Sequence, residues 1–355
     1  MHINIDKMGH AKYAYCTLFN SKYLDKGLVL CKSLMEVCDS YTLYILAMDD
    51  LCYNILNELH IDNVVPIKLV DFENDDLLLA KRNRSFGQYC WTCSSSLIKY
   101  IFDFYKEEFC TYIDADMCFY SDPNVLVDEM RSYNKKVSII KHRFARKYRY
   151  TERQVGHFCV EFNTFENCVE ARDILDVWIK QCLDCCVTDD GVHWGDQKYL
   201  DEWPKKYSAV HVNENLGAGV APWNLHQYKD IYIKGGIVYS NIKEYKAIPL
   251  VFYHFENIQY LDTKRVKFNA FDFWKIKKDI INTLYVPYLQ RIRKEKKFLL
   301  SAYNLDTTIK VHPELNNTGF KGLITRLSKV MRSPSMFLNY ILPARMFADR
   351  NYIEF

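Results

Sequence analysis

The sequence predicts an α/β protein with a mostly parallel central sheet flanked by helices. Strand-like and helix-like segments alternate through the first 113 residues, an order typical of parallel sheets. Hydrophobic residues make up 49% of the 355 residues and charged residues 26%, which excludes a disordered chain, a collagen and a coiled coil. No apolar run reaches the roughly 18 to 20 residues of a membrane-spanning helix.

The first part of the chain supplies the predicted parallel strands. Residues 13–19 form an aromatic and apolar run that ends at a turn signal, and residues 25–38 repeat apolar side chains at helical spacing. The next predicted elements are strand 41–48, helix 51–61, strand 64–70, helix 91–105 and the short buried strand 109–113.

The pattern is less regular beyond residue 113. Residues 142–154 indicate a basic, aromatic loop, residues 157–166 a strand and residues 169–186 an amphipathic helix. Residues 187–204 indicate a turn that leads into a helix. Short strands are expected between residues 220 and 257.

Positive charge is concentrated near the end of the chain. The whole sequence contains 47 Lys and Arg and 44 Asp and Glu, whereas residues 264–355 contain 18 and 7. This asymmetry predicts one domain over 1–262 and a basic, mostly helical extension over 263–355. The run RIRKEKK at 291–297 is either a solvated helix face or a surface that approaches an anionic membrane. No nucleic-acid partner is expected.

The 13 cysteines indicate a reducing compartment. Their number is odd and several lie in apolar segments, where we expect small core residues. Cys182, Cys185 and Cys186 contain one C-x-x-C pair without a second, so no zinc site is predicted. The N-terminal segment lacks the apolar core of a signal peptide. The expected location is therefore cytoplasmic, and peripheral at the inner membrane face if the basic extension binds lipid.

Two aspartates directly follow the buried strand 109–113. Asp114 and Asp116 are two residues apart, and ligands of open α/β sheets bind outside the carboxyl ends of strands. Such a pair can share Mg²⁺ or Mn²⁺. The alternative is a solvated turn. A haloacid-dehalogenase-type phosphatase is a weaker interpretation, because its motif lies on the first strand and is usually followed by Thr or Val where this chain has Cys118.

Eight segments between residues 16 and 257 occur in the order of a known family. They are CTLFNSKYLDKGLVLCKSL, TLYILAMDD, CWTCSSSLIKYIF, TYIDADMCFYSDP, EFNTF, GDQKYLDEWP, APWNL and VFYHFEN. The ordered set resembles the nucleotide-sugar glycosyltransferases of the GT-A fold. It is similar to the bacterial enzymes that build lipopolysaccharide, O-antigen and capsule, and more distantly to the family 8 retaining galactosyltransferases and glycogenins.

The resemblance implies a cation site and a donor site. Asp114, Asp116 and a late histidine, here His254, would bind Mn²⁺ or Mg²⁺, with His211 as a second candidate for the histidine. The ion would hold the diphosphate of a nucleotide-sugar donor, with a UDP-sugar favoured. The residues that the resemblance places around the donor are Thr17, Phe19, Asn20, Tyr23, Asp49 and Asn163.

Asp196 and Gln197 match the acidic D-Q pair that the family places beneath the anomeric carbon. Asp196 would face the donor's β-side or an acceptor hydroxyl in a retaining enzyme, or act as general base on the acceptor hydroxyl in an inverting one. The alternative is that Asp196 caps the helix that follows it. Trp194, Trp223 and Asn224 would line the sugar or acceptor site.

The chain departs from the family 8 pattern at two phosphate-binding positions. Ser96 stands where the family has an arginine, so Lys99 or Arg84 is expected to take that role. The late H-x-x-G-x-x-K-P-W motif is absent, because His254 is followed by FENIQYL. These departures leave the second phosphate contact unassigned.

The predicted function is metal-dependent transfer of a sugar, with retention of configuration, from a UDP-sugar to a glycan or lipid-linked glycan of a bacterial surface polysaccharide. Two alternatives stay open. One is a non-catalytic module that binds nucleotide sugar or glycan. The other is a sugar-nucleotide nucleotidyltransferase, which would carry a glycine-rich loop after the first strand, where this chain has LFNSKYL.

Overall fold

A seven-stranded sheet with helices on both faces organises the chain. The structure, a computed structural model, describes residues 13–188, 190–256, 258–260, 265–268, 276–308 and 352–354. The strands within these ranges are β1 (Tyr13–Phe19), β2 (Tyr41–Ala47), β3 (Val64–Lys68), β4 (Phe109–Ile113), β5 (Met117–Phe119), β6 (Val137–Lys141), β7 (Phe158–Glu166), β8 (Val210–Val212), β9 (Tyr228–Lys234), β10 (Ile237–Ile242), β11 (Tyr245–Pro249), β12 (Phe252–His254), β13 (Ile258–Tyr260), β14 (Arg265–Phe268) and β15 (Tyr352–Glu354).

The helices alternate with the strands in the first half of the chain. They are α1 (Leu24–Val37), α2 (Asp50–Leu59), α3 (Leu69–Phe72), α4 (Asp75–Arg82), α5 (Phe86–Phe104), α6 (Asn124–Ser132), α7 (Arg149–Val155), α8 (Val169–Asp184), α9 (Trp203–Lys206), α10 (Lys278–Ile280) and α11 (Val286–Tyr303). Short 3₁₀ turns cover Ser21–Tyr23, Arg146–Tyr148, Lys198–Glu202 and Leu225–Gln227, and a π turn covers Ile281–Tyr285.

The strand order of the large sheet is β3-β2-β1-β4-β7-β6-β8. Strands β3, β2, β1 and β4 are parallel neighbours, and β6 pairs in parallel with β8. Only β7 runs against its neighbours in this sheet, and it pairs antiparallel with both β4 and β6. The predicted α/β fold with a mostly parallel sheet is therefore confirmed. Strand direction changes between β4 and β7.

Two hydrophobic layers hold the helices on the sheet. On one face, buried side chains of α1, α2 and α6 pack on the strands, among them Leu28, Ile55 and Leu126. On the other face, α5 and α8 contribute Ile101 and Trp178. Because both faces are covered, β1, β2 and β4 are buried along their whole length, which explains why each is apolar apart from one threonine.

One segment differs from the sequence expectation. Residues 142–154 were expected to form a loop, but the structure contains a 3₁₀ turn and helix α7 here. Phe144, Tyr148 and Val155 are buried in a small cluster together with Trp223. These contacts order the segment, and they come from a residue almost 70 positions further along the chain, which local sequence patterns do not show.

Residues 276–303 pack against the preceding part of the chain. Tyr288 stacks on Phe255 with ring centroids 3.6 Å apart, and both are buried. Helix α11 also contacts α1, with an ion pair of 2.6 Å between Glu295 and Lys32. A helical C-terminal region is thus present, and it shares a core with residues before 263. Across the described ranges, no helix has both the length and the apolar character needed to cross a bilayer.

Candidate active site

The paired aspartates lie at the carboxyl end of β4, at the change of strand direction. Strand β4 ends at Ile113, and the backbone N–H of Asp114 donates to the carbonyl of Glu161 on β7 at 3.2 Å. Asp116 immediately precedes β5. The two side chains keep exposed fractions of 30% and 13%, so their oxygens stay accessible at this edge of the sheet.

Strand β12 brings His254 to the aspartates. It pairs antiparallel with β5 and sets His254 opposite Met117. The Nε2 atom of His254 lies 3.1 Å from Asp116 Oδ1 and 3.7 Å from Asp114 Oδ2. The hydroxyl of Tyr23 donates to Asp116 Oδ2 at 2.9 Å. The structure therefore brings together the three side chains predicted to bind a cation, and adds Tyr23.

Glu161 joins this cluster, although sequence reasoning did not single it out. Its Oε2 atom lies 2.7 Å from His254 Nδ1, and the side chain is fully buried. A carboxylate on Nδ1 fixes the ring so that Nε2 faces Asp116. The missed signal was the alternation of Cys159, Glu161 and Asn163 with apolar side chains over the first six residues of β7.

Burial and charge together set the protonation of the cluster. Burial, partly opposed by the charge of His254, raises the pKa of the Asp114 carboxyl to about 7. Burial also acts against a charged Asp116, but His254 outweighs it and the pKa of Asp116 is lowered. Burial opposes a charged His254 as well, yet Asp116 raises the pKa of its imidazole. Asp116 and His254 therefore form a hydrogen-bonded ion pair.

The donor set fits a hard divalent cation. Two carboxylates and one imidazole suit Mn²⁺ or Mg²⁺. Adjacent ligand atoms around such an ion are about 3 Å apart, because each bond is about 2.1 Å long. The distances of 3.1 and 3.7 Å from His254 Nε2 are close to that spacing. Cys159 lies next to Asp114 and His254, but burial raises the pKa of its thiol and keeps it a poor ligand.

Asp196 is a buried carboxylate close to this cluster. Ser94 Oγ donates to its Oδ2 at 2.6 Å, and the indole of Trp178 donates to its backbone carbonyl at 2.9 Å. Burial raises its pKa to about 7, and its charge adds to the raised pKa of Asp114. The helical turn that follows begins at Lys198 and has no side-chain cap. Asp196 therefore does not cap this turn, which was the alternative to a role in catalysis. Gln197 donates to the carbonyl of Val155.

Asn163 and Thr17 have buried polar atoms without partners. Both amide atoms of Asn163 and the hydroxyl of Thr17 lack a hydrogen-bond partner among the described residues. Buried polar groups are rarely left in this state, because each unpaired atom costs about 1–3 kcal/mol. Asn163 is on the same face of β7 as Glu161. Its free amide is therefore available to a ligand bound beside the cluster.

The turn after β1 is held largely by its own contacts. Asp49 caps α2 by accepting from Cys52 N at 2.7 Å, and it accepts from the N–H and hydroxyl of Ser21 at 3.0 and 2.8 Å. Phe19 is buried against Gly27 of α1. Asn20 is half-buried at the start of the 3₁₀ turn. Of the predicted donor residues in this turn, Tyr23 alone contacts the aspartates.

Arg84 and Lys99 do not contact the aspartates. Arg84 donates to Thr92 Oγ1 and to the carbonyls of Cys182 and Leu183 at the end of α8. Lys99 forms an ion pair with Asp176 on the surface between α5 and α8, at 2.7 Å. Both side chains thus join α5 or its preceding turn to α8.

The predicted sugar-site residues differ in accessibility, and among them Trp223 contacts His254. Trp223 is 4% exposed, and its ring edge meets His254 at a centroid distance of 5.5 Å. Asn224 is fully buried and donates to the carbonyls of His142 and Gly219. Trp194 is half-buried against the small hydrophobic cluster that contains Trp223.

Trp91 joins the candidate site, and His211 does not belong to it. Trp91 on α5 is 38% exposed and lies over Gly195, the residue before Asp196. Its ring is therefore accessible beside that carboxylate. His211, the second candidate ligand, instead pairs with Glu129 at 2.7 Å.

Comparisons with known proteins give relatives without a described activity. No family model matches the chain. The uncharacterized proteins YfnD and YfnF of Bacillus subtilis (strain 168) are 28% and 27% identical to it. The YfnD match spans 82% of this chain and 92% of YfnD, and the YfnF match 72% and 84%.

The solved structures that the chain is similar to are described as glycosyltransferases. The galactosyltransferase LgtC, in complex with donor and acceptor sugar analogs, has a TM-score of 0.49 at 12% identity, covering 79% of this chain and 95% of LgtC. Mouse xyloside xylosyltransferase 1 has a TM-score of 0.43 at 11% identity, covering 68% and 97%. GlyE of Streptococcus pneumoniae TIGR4 has 0.38 at 16%, covering 58% and 46%.

Proposed function

We propose that this protein is a metal-dependent glycosyltransferase that uses a nucleotide-diphosphate sugar, with a UDP-sugar favoured. The supporting observation is the meeting of Asp114, Asp116 and His254 at the carboxyl end of β4, with Asp196 close by. In open α/β sheets this edge, next to a change in strand direction, is where ligands bind.

Asp114, Asp116 and His254 would hold Mn²⁺ or Mg²⁺. Such an ion supplies positive charge to the diphosphate as the bond to the sugar breaks. Glu161 keeps His254 Nε2 directed at this position, and Tyr23 holds the second oxygen of Asp116. The cluster therefore positions its ligands before the donor binds.

The unpartnered groups beside the cluster suit the rest of the donor. The free amide of Asn163 can both donate to and accept from sugar hydroxyls. The ring of Tyr23 and the hydroxyl of Thr17 lie on the side of β1, where the resemblance places the nucleoside. We propose that the donor spans these two regions, with its diphosphate between them.

Asp196 is proposed to act on the reacting sugar or on the acceptor. In the transfer, the bond between the anomeric carbon and the diphosphate oxygen breaks, an acceptor hydroxyl oxygen bonds to that carbon, and the hydroxyl loses its proton. A carboxyl whose pKa is about 7 can accept this proton near neutral pH. The resemblance of Asp196 and Gln197 to the family pair favours retention of configuration.

The acceptor is proposed to be a glycan or lipid-linked glycan of a bacterial surface polysaccharide. Trp91 is 38% exposed and lies against Gly195, Trp194 precedes Gly195 in the chain and is half-buried, and a flat ring packs well on a pyranose. Trp223 is too buried to offer a face and supports His254 instead. A lipid-linked acceptor would bring the basic α11 close to an anionic membrane surface.

The test is thermal unfolding with a panel of nucleotides, UDP, GDP, CMP and dTDP, each with and without Mn²⁺. Binding to the native state alone raises stability by about 2.7 kcal/mol at 100 times the Kd. We expect UDP to raise Tm only when Mn²⁺ is present. If another nucleotide raises Tm instead, the donor carries that nucleotide rather than UDP. If no nucleotide raises Tm, the result favours the non-catalytic alternative.

Product analysis separates transfer from the remaining alternative. Incubation of the protein with UDP-sugars and Mn²⁺ should release UDP, at a rate that rises with a glycan acceptor. A sugar-nucleotide nucleotidyltransferase would instead consume UTP and a sugar phosphate and release pyrophosphate. The latter outcome would contradict the proposal.

A further inference from the structure

Lys26, in the first turn of α1, has a largely buried side chain whose ammonium group forms no hydrogen bond with the described residues. The residue is only 3% exposed. Its Nζ atom lies 3.7 Å from the centroid of the Tyr23 ring, and no oxygen in the described ranges accepts a hydrogen bond from it. Buried lysines are normally paired with a carboxylate or another acceptor, because desolvation of an ammonium is costly. The position of Lys26 therefore calls for an anionic partner.

The ammonium group lies beside the proposed cation site. The ring of Tyr23 connects the two, since Lys26 is on its face and its hydroxyl donates to Asp116 Oδ2. The positive charges that act most strongly on Asp116 are those of His254 and Lys26. Lys26 thus adds a fixed cation to the same small region as the two aspartates.

A nucleoside diphosphate carries more negative charge than one divalent cation neutralises. Proteins that bind such ligands commonly add a lysine that contacts the phosphates. The lysine and arginine predicted for this purpose, Lys99 and Arg84, are engaged between α5 and α8. Lys26 is largely buried, the charges of Asp116 and Asp25 both act on it, and no described oxygen accepts a hydrogen bond from its ammonium group.

We propose that the ammonium group of Lys26 binds the diphosphate of the donor. This inference rests on the proposed function and assigns the phosphate contact that the sequence left open. In the donor complex, Nζ donates to diphosphate oxygens while it remains on the Tyr23 ring. The Tyr23 ring then has one face in contact with Lys26.

The test is isothermal titration of the Lys26→Met variant with UDP, UMP and uridine in the presence of Mn²⁺. Methionine has a similar length and no charge, so the fold should be kept and Tm should be unchanged or higher. The affinity for UDP should fall about 10- to 100-fold, the usual loss for a hydrogen bond to a charged group. The affinity for uridine should stay unchanged.

Lys32→Met is the matched control. Lys32 is on the same helix but pairs with Glu295 on α11, so its loss should leave UDP affinity unchanged and lower Tm. Lys26→Gln, which keeps a polar donor without the charge, gives a second variant with the same expected loss of UDP affinity. If one of the two Lys26 variants does not fold, the other still tests the proposal.

Three outcomes overturn the assignment. If both Lys26 variants bind UDP as the wild type does, Lys26 does not contact the diphosphate, and the proposed function stands. If UDP and uridine lose affinity in the same proportion, Lys26 acts through the Tyr23 ring instead. If the wild type binds no nucleoside diphosphate with Mn²⁺, the donor site and the role of Lys26 both fail.

Discussion

Asp116 is the residue on which the candidate site depends most directly. His254 and Tyr23 each hydrogen-bond one of its oxygens, and its backbone carbonyl accepts from Phe255 N at 2.9 Å. Asp116→Asn keeps the shape and the hydrogen bond from Tyr23 but removes the charge. It should abolish the Mn²⁺-dependent stabilisation by UDP while leaving the fold intact, as measured by thermal unfolding. Asp176→Asn, on the surface of α8, is the control, and unchanged stabilisation in Asp116→Asn would contradict the metal assignment.

Glu161 tests whether the orientation of His254 matters for cation binding. Glu161→Gln keeps the size of the side chain and weakens the bond to Nδ1. Loss of such a partner typically lowers metal affinity 10- to 100-fold. Mn²⁺ affinity should fall by about this factor in a titration of the metal alone. Glu166→Gln, on the same strand but paired with Lys136, should bind Mn²⁺ as the wild type does.

The raised pKa of Asp196 should make the stability of the protein depend on pH. Its pKa is about 7 in the folded protein and about 3.9 unfolded, so the folded state holds the extra proton between these values. The stability that this proton contributes is therefore present below pH 4 and lost as pH rises through 7. The measurement is urea unfolding of the metal-free protein. Between pH 4 and pH 8, the free energy of unfolding of Asp196→Asn should rise by about 2–4 kcal/mol relative to that of the wild type. A constant difference would contradict the assignment.

At the scale of elements, the packing of β1 against α1 gives a prediction for two glycines. A Cβ on Gly27 would lie 2.3 Å from Phe19 Cζ, whereas one on Gly87 in α5 would meet nothing within 4 Å. Gly27→Ala should therefore lower the free energy of unfolding by about 1–3 kcal/mol through overpacking. Gly87→Ala should raise it by about 0.5 kcal/mol through helix propensity. Equal effects in urea unfolding would contradict this contact.

Sequence patterns predicted the elements whose own residues carry the signal. Strands β1, β2 and β4 are nearly continuous apolar runs with one threonine each, and α1 repeats its apolar side chains every three to four residues. The antiparallel direction of β7 has no such local cause, since it depends on which neighbours the strand meets. Helix α7 was missed for the same reason, because it is ordered by contacts with Trp223.

The candidate site residues differ in the same way, because only those close together in the sequence could be predicted from local patterns. Asp114 and Asp116 were predicted because both follow one strand, where adjacency in sequence implies adjacency in space. His254 came from the resemblance, and its place opposite Met117 depends on β12 pairing with β5. Glu161 and Lys26 were missed because their roles depend on partners at least 90 positions away, His254 in one case and Asp116 in the other.

At the scale of the whole molecule, the basic C-terminal part is joined to the rest by packing and ion pairs. Tyr288 stacks on Phe255, and Arg291 pairs with Glu36 of α1 at 2.7 Å. Deletion of residues from 263 would expose this shared core. A membrane role is therefore better tested by substitution than by truncation.

Three exposed cations of α11 allow that test. Arg293, Lys294 and Lys297 are exposed. Their replacement by glutamine should leave Tm unchanged and, if the extension approaches anionic lipid, reduce sedimentation with anionic vesicles. Each well-placed cation contributes roughly 1 kcal/mol, so the three together should weaken binding about 100-fold. Equal binding of wild type and variant would remove the membrane hypothesis, and vesicles of neutral lipid serve as the control.

The pairing of β12 with β5 also bears on how the protein is made. His254 meets Asp116 across 138 positions of the chain, and Tyr23 meets it across 93. Closing loops of this length is slow and entropically unfavourable, so such contacts form late in folding. A chain still being synthesised cannot complete the cluster until residue 254 has left the ribosome. The proposed cation site is thus complete only after β12 has paired with β5, and refolding followed by Mn²⁺ uptake would report when that pairing forms.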